Sequence, residues 1–241
     1  MKTIKSSQYR KLHFVYALSE SSLSRAHGAV IILDGLPSNP SDRNQLIQKL
    51  SQQNLDVFFP RYEGTWESKG EFLKRAPSKA ITEFIKALRR GIVLNDKKYI
   101  AQKIFILGAS FGGGVALDIA SQNIANKICV VSPVISFKKV VGIDTLKNYL
   151  GAAYPKDYRF DPKNWQKLLE DGLWDLDDNK IKNSSDVLIL AGDADNQIKK
   201  ADILEFGKKN KIRIGIYNFG HITLGKITES MLEEILEFFS K

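Results

Sequence analysis

Lys103 to Ala120 reads KIFILGASFGGGVALDIA, an apolar run that ends in Gly108-Ala109-Ser110-Phe111-Gly112 and continues through Val115, Ala116, Leu117, Ile119 and Ala120. This is a G-x-S-x-G pattern in strand, turn and helix context. A serine held on a tight turn above the end of a strand needs residues without side chains two before and two after it, so that strand and helix can approach. Gly108 and Gly112 meet that need. Ser110 then projects its hydroxyl out of the fold, and the N–H of Phe111 lies at a helix N-terminus, where it can receive negative charge. Three fixed positions recur by chance in roughly one chain in ten of this length. The motif takes its weight from its setting: the run before it is β-branched and aromatic, and Gly113 and Gly114 are poor residues with which to start a helix unless the backbone needs them.

Outward from this stretch, the chain has the length of one α/β domain, 241 residues, with 43% hydrophobic and 26% charged residues. Those values are ordinary for a globular protein. Lys and Arg number 36 against 27 Asp and Glu, a net charge of +9, but the basic residues are scattered and no recognition motif accompanies them. The densest piece, Lys86, Arg89 and Arg90, ends a predicted helix and complements its dipole. Nucleic acid is therefore not expected as a partner. Cys129 is the only cysteine and sits in the apolar Ile128 to Val131, which predicts a buried structural thiol, no disulfide within the chain and no cysteine-based metal site. No apolar run approaches a membrane span, and MKTIKSSQYRKLHF has no apolar signal region, so a cytoplasmic protein without a membrane partner is expected.

Upstream, Tyr9 to Ala17 alternates Leu12, Phe14 and Tyr16 against Lys11, His13 and Val15, one strand with one buried face and His13 on the other. Ala29 to Leu33 is a continuous apolar run of the kind covered on both faces, leading into Asp34-Gly35-Leu36-Pro37-Ser38. Ligands of open α/β sheets bind at the carboxyl ends of strands, which makes the N–H of Leu36 a candidate donor to an oxyanion. His27 lies at the other end of that strand and is not expected to be catalytic. Ser41 is placed to cap a helix bearing Leu46, Ile47 and Leu50, and Leu55 to Pro60 makes the next strand. In the polar loop that follows, Glu63 and Glu67 read as solvated carboxylates. Ile81, Phe84, Ile85 and Leu88 define an amphipathic helix over Pro77 to Arg90, closed by Gly91.

Downstream, Ile128 to Val131 is a strand ending at Ser132-Pro133. From Ser136 to Asp186 the strand–helix rhythm lapses into a segment carrying Phe137, Tyr149, Tyr154, Tyr158, Phe160, Trp165 and Trp174. It reads either as short helices forming a small cap within a single domain spanning residues 1–241, or as ordinary helix plus a surface loop. Val187 to Leu190 restores the pattern and leads to Gly192-Asp193-Ala194-Asp195. Ile212 to Phe219 is the last strand, followed by Gly220-His221. Met231, Leu232, Ile235, Leu236 and Phe239 line a closing helix, with Ser230 and Glu233 at capping-box spacing.

Ser110, Asp195 and His221 thus occur in that chain order, each after a predicted strand of a mostly parallel sheet. The order differs from those of the other serine triads. With these three motifs the sequence resembles the α/β-hydrolase superfamily, particularly its small serine esterases and aminopeptidase-like hydrolases, over nearly the whole chain from Ala29. Pro60 to Gly64 and Ser68 to Gly70 also look like the family's loop after its fourth strand. The resemblance implies Asp195 rather than Asp193 as the triad acid, with Asp193 stabilising the turn. The family often has His-Gly where this chain has Asp34-Gly35. Its implied chemistry is cleavage of a small carboxylic ester through an acyl-enzyme, with Ser110 as nucleophile, His221 as base and the Leu36 and Phe111 N–H groups as oxyanion donors, and with no metal or organic cofactor. A peptidase or amidase with the same triad, and a non-catalytic small-ligand binder on the same scaffold, are the alternatives.

Overall fold

The computed structural model describes residues 3–19, 28–170, 175–178 and 180–241; His27 and Trp174 fall outside them. The chain forms a mostly parallel eight-stranded sheet in the order Lys5–Tyr9 (β1), Leu12–Ala17 (β2), Asp56–Pro60 (β4), Gly28–Leu33 (β3), Lys103–Ala109 (β7), Lys127–Val131 (β8), Val187–Gly192 (β9) and Arg213–Tyr217 (β10), with helices between the strands. It divides into two compact units, one of Met1–Ile32, Pro40–Ile104 and Asp144–Leu173, the other of Leu33–Asn39, Phe105–Ile143 and Trp174–Lys241.

The first unit holds β1 (Lys5–Tyr9), β2 (Leu12–Ala17), β3 (Gly28–Leu33, whose last residue belongs to the second unit), α1 (Asn44–Gln52), β4 (Asp56–Pro60), α2 (Pro77–Arg90), β5 (Ile92–Leu94) and β6 (Lys97–Tyr99). The stretch read as a single strand from Tyr9 is in fact the turn and second arm of an antiparallel hairpin, reversed at Arg10 with φ of 53°. The alternation survives: Leu12, Phe14 and Tyr16 are buried. β2 runs antiparallel to β4, and β3 parallel to it. The small β5–β6 hairpin, absent from the sequence reading, turns at Asn95 and Asp96, both in the left-handed region (φ 48° and 62°), where these two residue types are tolerated. The helix α1 starts at Asn44 after a 3-10 turn, Pro40–Arg43, and its N-cap is Arg43 rather than Ser41.

α2 keeps its predicted bounds and carries Phe84 into the centre of an aromatic cluster, 4.9 Å from the ring of Phe14 and 6.1 Å from that of Phe58. Glu63 is not solvated: both its oxygens accept from Arg75, at 2.9 and 3.0 Å, and only 14% of its side chain is exposed. Arg75 also reaches Glu83, which Arg10 pairs from its other oxygen. Glu67 remains an exposed loop carboxylate, 3.4 Å from Arg61.

The excursion after Ser136 contains α4 (Ile143–Ala153) and α5 (Pro162–Glu170). Its stretch from Asp144 to Glu170 belongs to the first unit, where main-chain hydrogen bonds tie it to the loop after β4: Trp66 N–H to Asp157 O, Phe72 N–H to Arg159 O and Arg159 N–H to Gly64 O, at 2.6 to 2.8 Å. Tyr154 and Tyr158 pack on Trp66, and Tyr158 and Phe160 on Phe72; of these Tyr158 and Phe72 are buried in the core, while Tyr154, Phe160 and Trp66 are half-buried around them. Residues 136–143 belong to the second unit, where Phe137 meets the ring of Phe111 edge-on.

The second unit holds β7 (Lys103–Ala109, from Phe105 on), α3 (Phe111–Ala120), β8 (Lys127–Val131), β9 (Val187–Gly192), α6 (Lys200–Asn210), β10 (Arg213–Tyr217) and α7 (Glu229–Ser240). All four of its strands are parallel, with Ala109 level with Val131, Val131 with Leu190, and Gly192 with Tyr217. α3 and α7 pack on β8, and α6 on β9 and β10. Cys129 is fully buried, and burial holds its thiol far above the usual range. α7 is capped by Thr228, whose Oγ accepts from Met231 N–H at 3.3 Å, not by Ser230.

Truncating Phe84 to Ala leaves a cavity among packed rings and is expected to cost about 3–5 kcal/mol, read from the urea unfolding midpoint. A loss below about 1 kcal/mol would mean that this cluster does not hold the first unit together.

Candidate active site

Because the four parallel strands of the second unit end level, the chain leaves them at one edge: Ser110 after β7, Ser132 after β8, Asp193 to Asn196 after β9 and Gly220-His221 after β10. Ser110 has φ 52° and ψ −118°, a strained conformation for a residue with a side chain. Its own backbone holds it there. The N–H donates to Val131 O at 2.9 Å, while its carbonyl accepts from Gly114 N–H at 3.1 Å and Val134 N–H at 3.0 Å. A Cβ on Gly112 would overlap the carbonyl oxygens of Leu33 and Asp34, which is why only glycine lets α3 start so close to the end of β3. The strand, the turn and the helix read from the sequence are all present, while Ser110, expected to project its hydroxyl out of the fold, is only 9% exposed.

The loop after β3 lies against this serine: a Cβ on Gly35 would be 3.1 Å from Ser110 Cβ and 3.6 Å from Ser110 Oγ. Asp34 is buried, and its Oδ1 accepts from Gly35 N–H at 2.9 Å. The carboxylate at this position therefore braces the loop that contains Leu36. Phe111 is the first residue of α3.

The two carboxylates after β9 have different places. Asp193 is exposed and its Oδ1 accepts from Phe219 N–H at 3.2 Å, so it buttresses the turn. Asp195 has a fully buried side chain: Oδ2 lies 2.8 Å from His221 Nδ1, and Oδ1 accepts from the N–H groups of Gln197 and Ile198, both at 2.9 Å. Burial pushes the Asp195 carboxyl up, but the His221 ring and the two backbone donors outweigh it and hold the group below the usual carboxylate range. With Asp195 ionised, His221 Nδ1 carries the proton of that bond and Nε2 is left as the basic nitrogen. Further bonds join the two loops, Asp193 N–H to Tyr217 O at 2.9 Å and Ala194 N–H to Phe219 O at 3.0 Å. Gly192 permits their approach, because a Cβ there would overlap the carbonyls of Phe219 and Gly220.

Ser110, Asp195, His221, Leu36 and Phe111 thus all fall in the second unit. Two contributors escaped the sequence reading. Gly35 read only as a turn residue, and Ser132 only as the end of a strand. Ser132 is fully buried, has φ 42°, and its Oγ accepts from Ile222 N–H at 3.2 Å, beside His221. A serine before proline at the end of an apolar strand carries no signal of that contact.

No family model matches the chain, and no curated protein matches it in sequence. Solved structures do match it in shape. The esterase Pf2001 of Pyrococcus furiosus superposes with a TM-score of 0.72 at 16% identity, over 99% of this chain and 92% of that one. MGS-MChE2, an α/β-hydrolase enzyme from the metagenome of lagoon sediments of Mar Chica, Morocco, gives 0.67 at 16% identity, over 98% of each chain. An S-formylglutathione hydrolase of Agrobacterium tumefaciens gives 0.62 at 17% identity, over 97% and 94%. At such identities the likeness shows the fold alone: the chain, with its mostly parallel eight-stranded sheet, has the α/β-hydrolase fold.

Proposed function

We propose that this protein is a serine hydrolase that cleaves a small carboxylic ester through an acyl-enzyme intermediate. One observation carries the reading: the buried Asp195 carboxylate orients His221 at the same end of the parallel strands as a serine on a strained turn. A packing role requires none of these three features together.

In the proposed reaction, Ser110 Oγ attacks the carbonyl carbon of the ester while His221 Nε2 takes the hydroxyl proton. The charge that develops on the carbonyl oxygen is held by the Leu36 and Phe111 N–H groups, each worth about 3 kcal/mol of transition-state stabilisation. His221 then gives its proton to the departing alcohol. Water, activated by the same nitrogen, attacks the acyl group and frees Ser110. Asp195 stays ionised throughout and stabilises the imidazolium. No step calls on a metal or an organic cofactor. The name of one structural neighbour, the esterase Pf2001, supports the reading of ester cleavage. We place the protein in the cytoplasm, acting on a small molecule rather than on nucleic acid or membrane. Among the described residues no helix is long and apolar enough to cross a membrane.

Incubation with a fluorophosphonate should add one adduct to the intact protein by mass spectrometry and none to Ser110→Ala. An adduct on both would remove Ser110 as the nucleophile. Asp195→Asn should lower ester turnover by roughly 10³-fold or more, since it releases His221 from its tautomer; Asp193→Asn, which weakens only a turn, should cost less than about tenfold. The reverse ranking would reassign the acid.

The Asp195 carboxyl titrates lower in the folded chain than in the unfolded one. Its stabilisation is therefore complete above the unfolded carboxylate range and disappears as pH falls through the folded value. The difference in Tm between the parent protein and Asp195→Asn should be largest near neutral pH and shrink on acidification below about pH 4. A difference that stays constant down to about pH 2 would show that the carboxylate is not held ionised by its partners.

A further inference from the structure

Two adjacent residues at the end of β8 hold two different parts of the site. The carbonyl of Val131 accepts from the Ser110 N–H at 2.9 Å, and the hydroxyl of Ser132 accepts from the Ile222 N–H at 3.2 Å. We propose that Ser132 is a positioning residue, which through Ile222 sets the distance between the His221 ring and Ser110. This rests on the acyl-transfer reading above.

The backbone around His221 gives the reason. Residues 218–223 form no regular element, so the histidine has no strand or helix of its own to fix it. On the amino-terminal side the segment is held by Asp193 Oδ1 and Ala194 N–H, both bonded to Phe219. That anchor belongs to the acid loop and would move with it. On the carboxyl-terminal side the first hydrogen bond after the histidine is the one from Ile222 to Ser132, and it belongs to the end of β8, whose Val131 carbonyl anchors the nucleophile's turn. The Asp195–His221 bond sets the orientation of the ring, while the Ser132 bond refers its position to Ser110.

Ser132 is built for this contact. It is fully buried, as is Ile222, and its φ of 42° is unusual for a residue with a side chain. Its N–H is anchored to Leu190 O at 2.8 Å, tying the same residue to β9, the strand that leads into the Asp195 loop. A plain strand end would need neither the positive φ nor a buried hydroxyl. A buried N–H left without an acceptor is costly, so removing the Ser132 oxygen drives Ile222 to find another partner and the segment to shift.

The test compares the parent protein with Ser132→Ala and Ser132→Cys, the second keeping the side-chain size with a much weaker acceptor. Three quantities are read: the rate of reaction with the fluorophosphonate, kcat and KM for a short-chain ester, and hydrogen exchange of the peptide spanning residues 218–223. With Tm showing both variants folded, Ser132→Ala should react on the order of ten- to a hundredfold more slowly. Its kcat should fall by a similar factor with KM changed less than about twofold, its exchange should rise, and Ser132→Cys should fall between. Should Ser132→Ala not fold, the Cys variant is read alone against the parent. Exchange and fluorophosphonate rate both within twofold of the parent would overturn the proposal. So would a loss confined to KM. A parent protein that takes no fluorophosphonate while exchange still rises in the variant would instead overturn the acyl-transfer reading and leave the tether to the 218–223 segment standing.

Discussion

Ser110 is held in a conformation that its own chain does not favour, and the second unit is arranged to keep it there. A residue with a side chain at φ 52° and ψ −118° carries strain of about 1–3 kcal/mol. Three backbone hydrogen bonds, to Val131, Gly114 and Val134, oppose its relaxation. They can do so because β7 and β8 are packed on both faces and end level, so that Val131 O and Ser110 N–H meet without adjustment. The turn also needs α3 to begin against the end of β3, and the bare Cα of Gly112 supplies the room. A side chain at that one position would separate the serine from the loop proposed to stabilise its oxyanion.

The acid and base depend on a balance of opposite sign. Burying Asp195 disfavours its charge, and a buried carboxylate with one partner would tend to take up a proton. Here its two oxygens accept from two backbone N–H groups and the imidazole, so ionisation survives the desolvation. The same burial keeps water from competing for the His221 bond. The carboxylate of Asp193, two residues earlier and exposed, accepts instead from the backbone N–H of Phe219. Two like residues in one turn thus part company because the chain buries only one of them.

The features legible in the sequence are those fixed by neighbours along the chain. The spacing of Ile81, Phe84, Ile85 and Leu88 places α2 within its observed bounds, and the alternation of Leu12, Phe14 and Tyr16 identifies the buried face of β2. Gly108 announces the turn because its steric need, the carbonyl of Gly112, lies within five residues, whereas the room that Gly112 leaves is taken by the distant carbonyls of Leu33 and Asp34. What the sequence hides is set by contacts between distant segments. Glu63 and Arg75 meet only after the loop has folded back, and the Ser132–Ile222 bond spans 90 residues. Helix caps fail for a subtler reason: Ser41 and Ser230 both lie near a helix start, but a 3-10 turn at Pro40–Arg43 moves the first boundary along, and the second helix begins at Glu229, directly after Thr228, which caps it. The aromatic residues after Ser136 show the limit of composition, since Tyr154, Tyr158 and Phe160 are consumed in packing on Trp66 and Phe72.

The bidentate pair of Glu63 and Arg75 bears on how the protein meets changes in ionic strength. Its net charge of +9 is the excess of 36 cationic over 27 anionic side chains, and counter-ions damp the mutual repulsion of exposed charges beyond about 10 Å at 0.1 M salt. Glu63 is largely withdrawn from solvent and accepts two directed hydrogen bonds, so screening reaches it far less. Concentrated salt therefore relieves the repulsion across the surface without loosening the loop after β4. The anchorage of that loop is insulated from the medium in which the rest of the charge is spread.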